Sequence, residues 1–209
     1  MYQVKEIFYT LQGEGARTGR PAVFCRFSGC NLWSGLEKDR NKAICSFCDT
    51  DFVGINGDGG GKFSSAIELA EAIDVKWSKN RKNKYVVCTG GEPALQMDSE
   101  IIEELHKKGF EIAIETNGTL ELPEGIDWVT VSPKSDAELK TLTGDELKLV
   151  YPQIDVDPKN FYDLDFGNFY LQPLDNKFKS INTQSTIQYC LENPKWRISL
   201  QTHKYIGIP

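Results

Sequence analysis

Several short apolar segments in this chain run straight into polar signatures: residues 85–88 into TGGEP, 110–114 into ETNG, 128–131 into SPK, and 169–171 into QPLD. Short apolar runs bounded by turn residues read as strands covered on both faces. Helix-like stretches fall between some of them, and that alternation specifies a mostly parallel α/β sheet. In such sheets the loops at the carboxyl ends of the strands line the ligand crevice. Polar signatures at the ends of successive strands therefore predict one composite site at one end of a barrel or open sheet.

The remaining pattern fills in around this. Residues 4–9 and 22–27 read as early strands, and 146–151 and 196–200 as later ones. A helix is predicted over 64–77, with Ser65 and Glu68 spaced as a capping box and Ile67, Ala70, Ile73 and Trp77 roughly on one face. A second helix over 100–108 closes at Gly109, and a third covers 183–192. The glycine-rich run 54–63 (GINGDGGGKF) reads as an exposed, mobile turn rather than a linker, so a single domain over 1–209 is expected. Few helix-like stretches separate the later strands, which predicts fewer covering helices than strands. Sheet left uncovered in this way suits a second copy of the chain, so a homodimer is expected.

The formal charge of −6 and the lack of a long basic run argue against nucleic acid as a partner, and NRKNK at 80–84 reads as a solvated turn. No apolar run approaches the ~18–20 residues that span a membrane, so no membrane partner is expected. MYQVKEIFY has no signal-peptide architecture, which predicts a cytoplasmic protein. In that reducing compartment the six cysteines are ligands or core residues rather than disulfides.

Cys30, Cys45 and Cys48 lie in CNLWSGLEKDRNKAICSFC. Three thiolates can hold an iron–sulfur cluster and leave one iron open to a substrate, whereas four usually close the coordination sphere. With Cys25 the pattern becomes C-x4-C-x14-C-x2-C, which also suits a closed zinc site, and the cysteines alone leave iron–sulfur and zinc evenly balanced. Cys25 sits in AVFCRF, where a core position is the simpler reading. Cys88 and Cys190 read as small buried hydrophobes.

Together with TGGEP and ETNG, the cysteines resemble the radical S-adenosylmethionine (SAM) superfamily, in which three cysteines bind a 4Fe–4S cluster and SAM chelates the fourth iron. The superfamily's common spacing is C-x3-C-x2-C; here 14 residues separate Cys30 from Cys45, and the charged insert looks like an excursion that returns the chain to the cluster. YTLQGEG, RPAVFCRFSGCNLW, SFCDTDF, VVCTGGEP, IAIETNG, VSPK, FYLQPLD and QTHKYIGIP resemble, over essentially the whole chain, the 7-carboxy-7-deazaguanine synthase family. The resemblance implies an incomplete, modified (β/α) barrel with reduced helical covering. It also implies an enzyme that turns 6-carboxy-5,6,7,8-tetrahydropterin into 7-carboxy-7-deazaguanine with loss of ammonia, in queuosine and 7-deazapurine biosynthesis. SAM is cleaved to a 5′-deoxyadenosyl radical, hydrogen is taken from C6 of the pterin, the ring contracts, and SAM is regenerated. A flavodoxin or ferredoxin-type donor would supply the electron.

Residue roles follow from matched positions. The resemblance gives Cys30, Cys45 and Cys48 to the cluster and the Thr50 hydroxyl to Mg2+. It gives Phe47, Asp49, Gly91, Glu115, Ser132, Pro133, Lys134, Gln172, Pro173, Leu174 and Asp175 to SAM. Leu11, Gln12, Gly13, Glu14, Arg26, Thr89, His203 and Pro209 form the pterin pocket, with Glu14 and Glu115 as the catalytic carboxylates. Arg26 offers a planar fork to a carboxylate, and the α-carboxylate of Pro209 suits the amino-pyrimidinone edge of the pterin. Two other functions stay open: an activating enzyme that places a radical on another protein's glycine, and a zinc-stabilised binding module.

Overall fold

The computed structural model describes residues 1–77 and 82–209. Strands β1 (Tyr2–Leu11) and β2 (Pro21–Phe27) form an antiparallel hairpin, with the short β3 (Gly61–Phe63) antiparallel on the outer edge of β1. From β2 the sheet continues in parallel through β4 (Lys84–Gly90), β5 (Phe110–Thr116), β6 (Trp128–Val131), β7 (Thr143–Tyr151), β8 (Asp165–Pro173) and β9 (Arg197–Ile198). The order is β3-β1-β2-β4-β5-β6-β7-β8-β9, and no pairing among the described residues joins β3 to β9. This is the open, mostly parallel barrel expected from the sequence.

Helix α1 (Ala66–Lys76) follows β3, α2 (Ser99–Lys107) follows β4, α3 (Lys179–Glu192) follows β8, and the short α4 (Thr202–Ile206) follows β9. The connections β5–β6, β6–β7 and β7–β8 carry no α-helix, so the helical cover is as thin as predicted. The outer face packs in two clusters. One joins β1, β2, β4 and β5 to α1 and α2 through residues such as Ile7, Phe27, Leu69, Ile73, Ile101 and Ile112. The other joins β6, β7 and β8 to Trp196 and α3 through Leu147, Leu149 and Leu171.

Three local expectations are corrected. In α1 the buried stripe is Ala66, Leu69, Ala70 and Ile73, at the i, i+3, i+4, i+7 spacing of a helix; Ile67 falls off it and is 55% exposed. Ser65 does cap Glu68 N–H, but the Glu68 carboxylate accepts from Ser64 rather than Ser65, one residue outside a capping box. The segment 54–63 is not a free turn. Gly57 N–H donates to Lys5 O (2.9 Å), Ile7 N–H to Asp58 O (2.7 Å), and residues 61–63 are β3. Its glycines serve close packing, since a Cβ on Gly60 would stand 2.1 Å from Lys5 O.

Of the NRKNK stretch, Asn80 and Arg81 lie outside the described residues, while Lys84 is buried as the first residue of β4. Its Nζ meets Asp74 Oδ1 at 2.5 Å and Lys108 O at 2.8 Å, tying α1 and the end of α2 to the sheet. Lys84→Ala removes this tie and takes a donor from the Lys108 carbonyl; we expect it to cost roughly 1–2 kcal/mol, read as a lower urea midpoint with an unchanged slope.

The inner face of the sheet is polar. Near the amino-terminal ends of β4, β5 and β6, Arg20 lies over the Tyr85 ring (3.8 Å) and Arg17 over Trp128 (4.1 Å), and both pair with Glu111. This plug closes one end of the barrel and leaves the polar signatures around the other. No helix among the described residues is long and apolar enough to cross a membrane.

Candidate active site

Main-chain packing builds the site first. Gly90 has φ +128°, and a Cβ there would lie 2.2 Å from Phe27 O; on Gly91 it would lie 2.0 Å from Gly29 O and 2.9 Å from Cys30 Cβ. The end of β4 thus rests directly on the turn that carries Cys30, sealed by Gly91 N–H to Phe27 O (3.2 Å) and Glu92 N–H to Gly29 O (2.9 Å). A side chain at either glycine would part the two segments.

Glu92 was not singled out from the sequence, yet it joins TGGEP to ETNG. Fully buried, its carboxylate accepts from Thr116 Oγ1 (2.7 Å), Asn117 N–H (2.7 Å) and Ala94 N–H (2.9 Å). Burial pushes its carboxyl up against these hydrogen bonds. Asn117 Nδ2 in turn donates to Asn31 Oδ1 (3.0 Å), fixing the residue after Cys30. The signal was available: a glutamate between strand and turn needs partners, and the next strand end supplies them.

The insert between Cys30 and Cys45 folds back as the sequence suggests. Its 3₁₀ turn, Glu37–Lys42, places the Arg40 guanidinium over Trp33 (4.1 Å), and Arg40 Nη1 donates to Ser46 O (3.0 Å) and Cys48 O (2.9 Å). One arginine therefore holds the main chain at the third cysteine and at the residue that follows the second. Cys45 donates to Cys48, which pulls the Cys48 thiol down and drives Cys45 up; burial drives Cys30 up. Lys134, whose ammonium burial pulls down, faces Cys45 and Cys48 and donates to Ser132 O (2.7 Å).

The three thiols line one cavity of about 150 Å³ that opens to the surface. Phe47, Asp49, Thr50, Gly91, Glu115, Ser132, Lys134, Gln172, Pro173, Leu174 and Asp175 line it with them. Pro133 does not; its carbonyl accepts from Gln153 Nε2 (3.1 Å) in the turn behind. Cys25 points the other way, fully buried in the outer core and opposite Cys88 in the β2–β4 register. It cannot serve as a fourth ligand, so the donor set is three thiols around an open cavity. Among the described residues no group of His, Cys, Asp or Glu is arranged to hold a single metal ion. This donor set fits a three-cysteine cluster with an open iron and not a closed four-cysteine zinc site.

A second cavity, of about 300 Å³, adjoins the first. Leu11, Gln12, Gly13, Glu14, Arg26, Thr89, His203 and Pro209 all line it, with the stacked rings of Phe8 and Phe24 (5.5 Å). Asp49, Thr50, Thr89, Glu115, Ser132, Val150, Gln172 and Gln201 line both cavities, so the two form one composite site. Arg26 Nε is held by Glu6 (2.7 Å), and Thr10 Oγ1 donates to Pro209 O (3.1 Å). Gln12 Nε2 donates to Glu115 Oε1 (3.0 Å).

Three residues that sequence reasoning missed complete the wall. Lys204 bridges Asp49 (2.8 Å) and Asp175 (2.7 Å), and Gln201 Nε2 donates to Glu14 Oε1 (3.1 Å). Burial pushes Asp49 up, but Lys204 and Gln201 hold its carboxyl below the usual range. Lys148 contacts Glu14 and lies 3.7 Å from Glu115 Oε1. Its signal was charge at i and i+2, Glu146 and Lys148 within an apolar strand, which puts both on the inner face.

Residues 41–148 match the radical SAM superfamily model, a span that begins after Cys30 and so bypasses most of the insert. The 7-carboxy-7-deazaguanine synthases of Caulobacter vibrioides and Bordetella pertussis are each 58% identical to this chain, over 100% of it and 99% of their own lengths. That of Bacteroides thetaiotaomicron is 43% identical over 100% of this chain and 99% of its own. The crystal structure of QueE from Escherichia coli superposes with a TM-score of 0.68 at 27% identity, covering 97% of this chain and 94% of that one.

Proposed function

The chain belongs to the 7-carboxy-7-deazaguanine synthase family of the radical SAM superfamily, and from that premise we propose how its residues carry the family's reaction. The protein is a lyase of queuosine biosynthesis that contracts 6-carboxy-5,6,7,8-tetrahydropterin to 7-carboxy-7-deazaguanine with loss of ammonia, using a 4Fe–4S cluster and SAM. The observation that carries the residue assignment is the shared wall: a three-thiol cavity opens onto a second cavity built from LQGE, Arg26, Thr89 and His203.

Cys30, Cys45 and Cys48 hold the cluster. When bound, the cluster and SAM supply reductive cleavage and a carbon-centred radical that takes hydrogen from the substrate. The protein positions, orients and excludes water. Gly91 brings main chain close to the methionine end, while Ser132, Lys134, Gln172 and Asp175 contact the rest of the cofactor. Glu115, on the shared wall, accepts hydrogen bonds from hydroxyl or ammonium groups. Phe8 and Phe24 offer an apolar wall to a flat ring. Arg26 binds the pterin carboxylate, competing with Glu6 for the guanidinium, and Gln12 and Glu14 accept from the ring's N–H edge. Thr50 offers a hydroxyl to Mg2+, which keeps waters and takes substrate oxygens. A homodimer, a flavodoxin or ferredoxin-type donor and a cytoplasmic setting belong to the same reading.

The test is an anaerobic reaction of reconstituted protein with SAM, reductant, Mg2+ and the pterin, read by mass spectrometry. Formation of 7-carboxy-7-deazaguanine without net loss of SAM is expected. Accumulation of 5′-deoxyadenosine with no pterin product would mean the wrong substrate. Colourless, zinc-containing protein that does neither would overturn the enzyme reading.

A further inference from the structure

We propose that Lys148 is a positioning residue that keeps Glu14 as an anion beside Glu115, so that Glu14 accepts from the pterin. Lys148 extends from the middle of β7 onto the inner face, and its side chain is 5% exposed. Its Nζ contacts Glu14 Oε2 and lies 3.7 Å from Glu115 Oε1, and it lines the second cavity itself. Glu14 comes from the loop after β1 and Glu115 from the end of β5, so this one ammonium joins three parts of the barrel.

Two carboxylates converging in a buried space repel, and one takes up a proton unless a cation intervenes. A protonated Glu14 would present a donor where the pterin's amino and ring N–H groups also donate. With Lys148 against it, Glu14 remains an acceptor. The neighbouring groups support this polarity. Gln12 Nε2 donates to Glu115 (3.0 Å), Gln12 Oε1 accepts from Glu14 N–H (3.1 Å), and Gln201 donates to Glu14 (3.1 Å). His203 also acts on Glu14. Glu146, two residues before Lys148, is a third carboxyl of the cluster: burial pushes it up, Lys148 pulls it down, and its carboxylate accepts from Ala16 N–H (2.8 Å). Burial pushes Glu14 up, but Lys148, Gln201 and His203 hold it below the usual range, in agreement with the geometry.

The proposal rests on the pterin reading only for which ligand Glu14 meets, and the experiment separates the two. Lys148→Met, Lys148→Arg, Glu14→Gln and the Glu14→Gln/Lys148→Met double variant are compared as reconstituted holoenzymes. Carbon-13 NMR of labelled glutamates, assigned with Glu14→Gln, follows Glu14 titration without substrate. We expect Glu14 to titrate at higher pH in Lys148→Met and near its wild-type position in Lys148→Arg. In turnover, Lys148→Met should raise the pterin KM about tenfold or more with a smaller change in kcat, and the KM should recover as pH rises and Glu14 ionises. Lys148→Arg should restore much of the loss. The double variant should be no worse than Glu14→Gln, because Lys148 acts through Glu14. It also removes both charges of the pair, so it stays folded if Lys148→Met does not. Unchanged Glu14 titration in Lys148→Met overturns the proposal. So does a double variant whose loss is the product of the two single losses. Altered Glu14 titration in Lys148→Met, together with wild-type protein that makes no 7-carboxy-7-deazaguanine, upholds Lys148's role and overturns the pterin reading instead.

Discussion

Cys30→Ser, Cys45→Ser and Cys48→Ser each abolish turnover, a loss of at least about 10⁴-fold, while Cys25→Ala leaves turnover intact. The contrast follows from where the four thiols point. Cys30, Cys45 and Cys48 line one cavity, and each is needed if one iron is to stay open. Cys25 is fully buried on the far face of β2, beside Cys88. Its loss removes one small buried side chain, costing about 1 kcal/mol. Iron, acid-labile sulfide and visible absorbance after anaerobic reconstitution give the readout, with urea unfolding for Cys25→Ala. A Cys25 variant that loses its metal would revive the four-cysteine zinc site, and a Cys48→Ser protein with full iron and activity would remove the three-thiolate assignment.

The strand-end signatures were legible because they are local: an apolar run sets a strand, and the polar residues after it must lie at its carboxyl end. The thin helical cover followed from the few helix-like stretches between the later strands. What the sequence concealed depends on distant partners. The run 54–63 looks mobile because glycines usually free the chain, yet here they let it lie against Lys5 and Ile7 of β1. Lys84 looks solvated inside a basic stretch because Asp74 and the Lys108 carbonyl lie on other elements. Lys204, joining Asp49 to Asp175, could not be inferred without knowing that α4 returns across the first cavity's rim. Within the site, every residue the matched motifs named lines one of the two cavities, Pro133 excepted, but Lys148, Gln201 and Lys204, whose charges and hydrogen bonds hold those residues, went unnamed.

Gly91→Ala should cost about 10²-fold in turnover and much of the cluster, although it adds one methyl group and no charge. That methyl would lie 2.0 Å from Gly29 O, 2.6 Å from Gly29 C and 2.9 Å from Cys30 Cβ. The first two are main-chain atoms, with no rotamer to turn aside, so the end of β4 or the turn at residues 29–30 must retreat by about an ångström to restore contact distance. Either movement strains the hydrogen bond from Glu92 N–H to Gly29 O and shifts Cys30 against Cys45 and Cys48. Gly109→Ala is the matched control. Gly109 has φ +80°, but a Cβ there would meet nothing within 4 Å. That variant bears backbone strain alone, about 1–2 kcal/mol, and should keep full iron and wild-type kinetics while unfolding at lower urea. Equal iron content and equal kcat in the two variants would mean that Gly91 merely accommodates a turn. Loss of iron from Gly91→Ala alone would show that the TGGEP glycine holds the cluster loop in place before any cofactor binds.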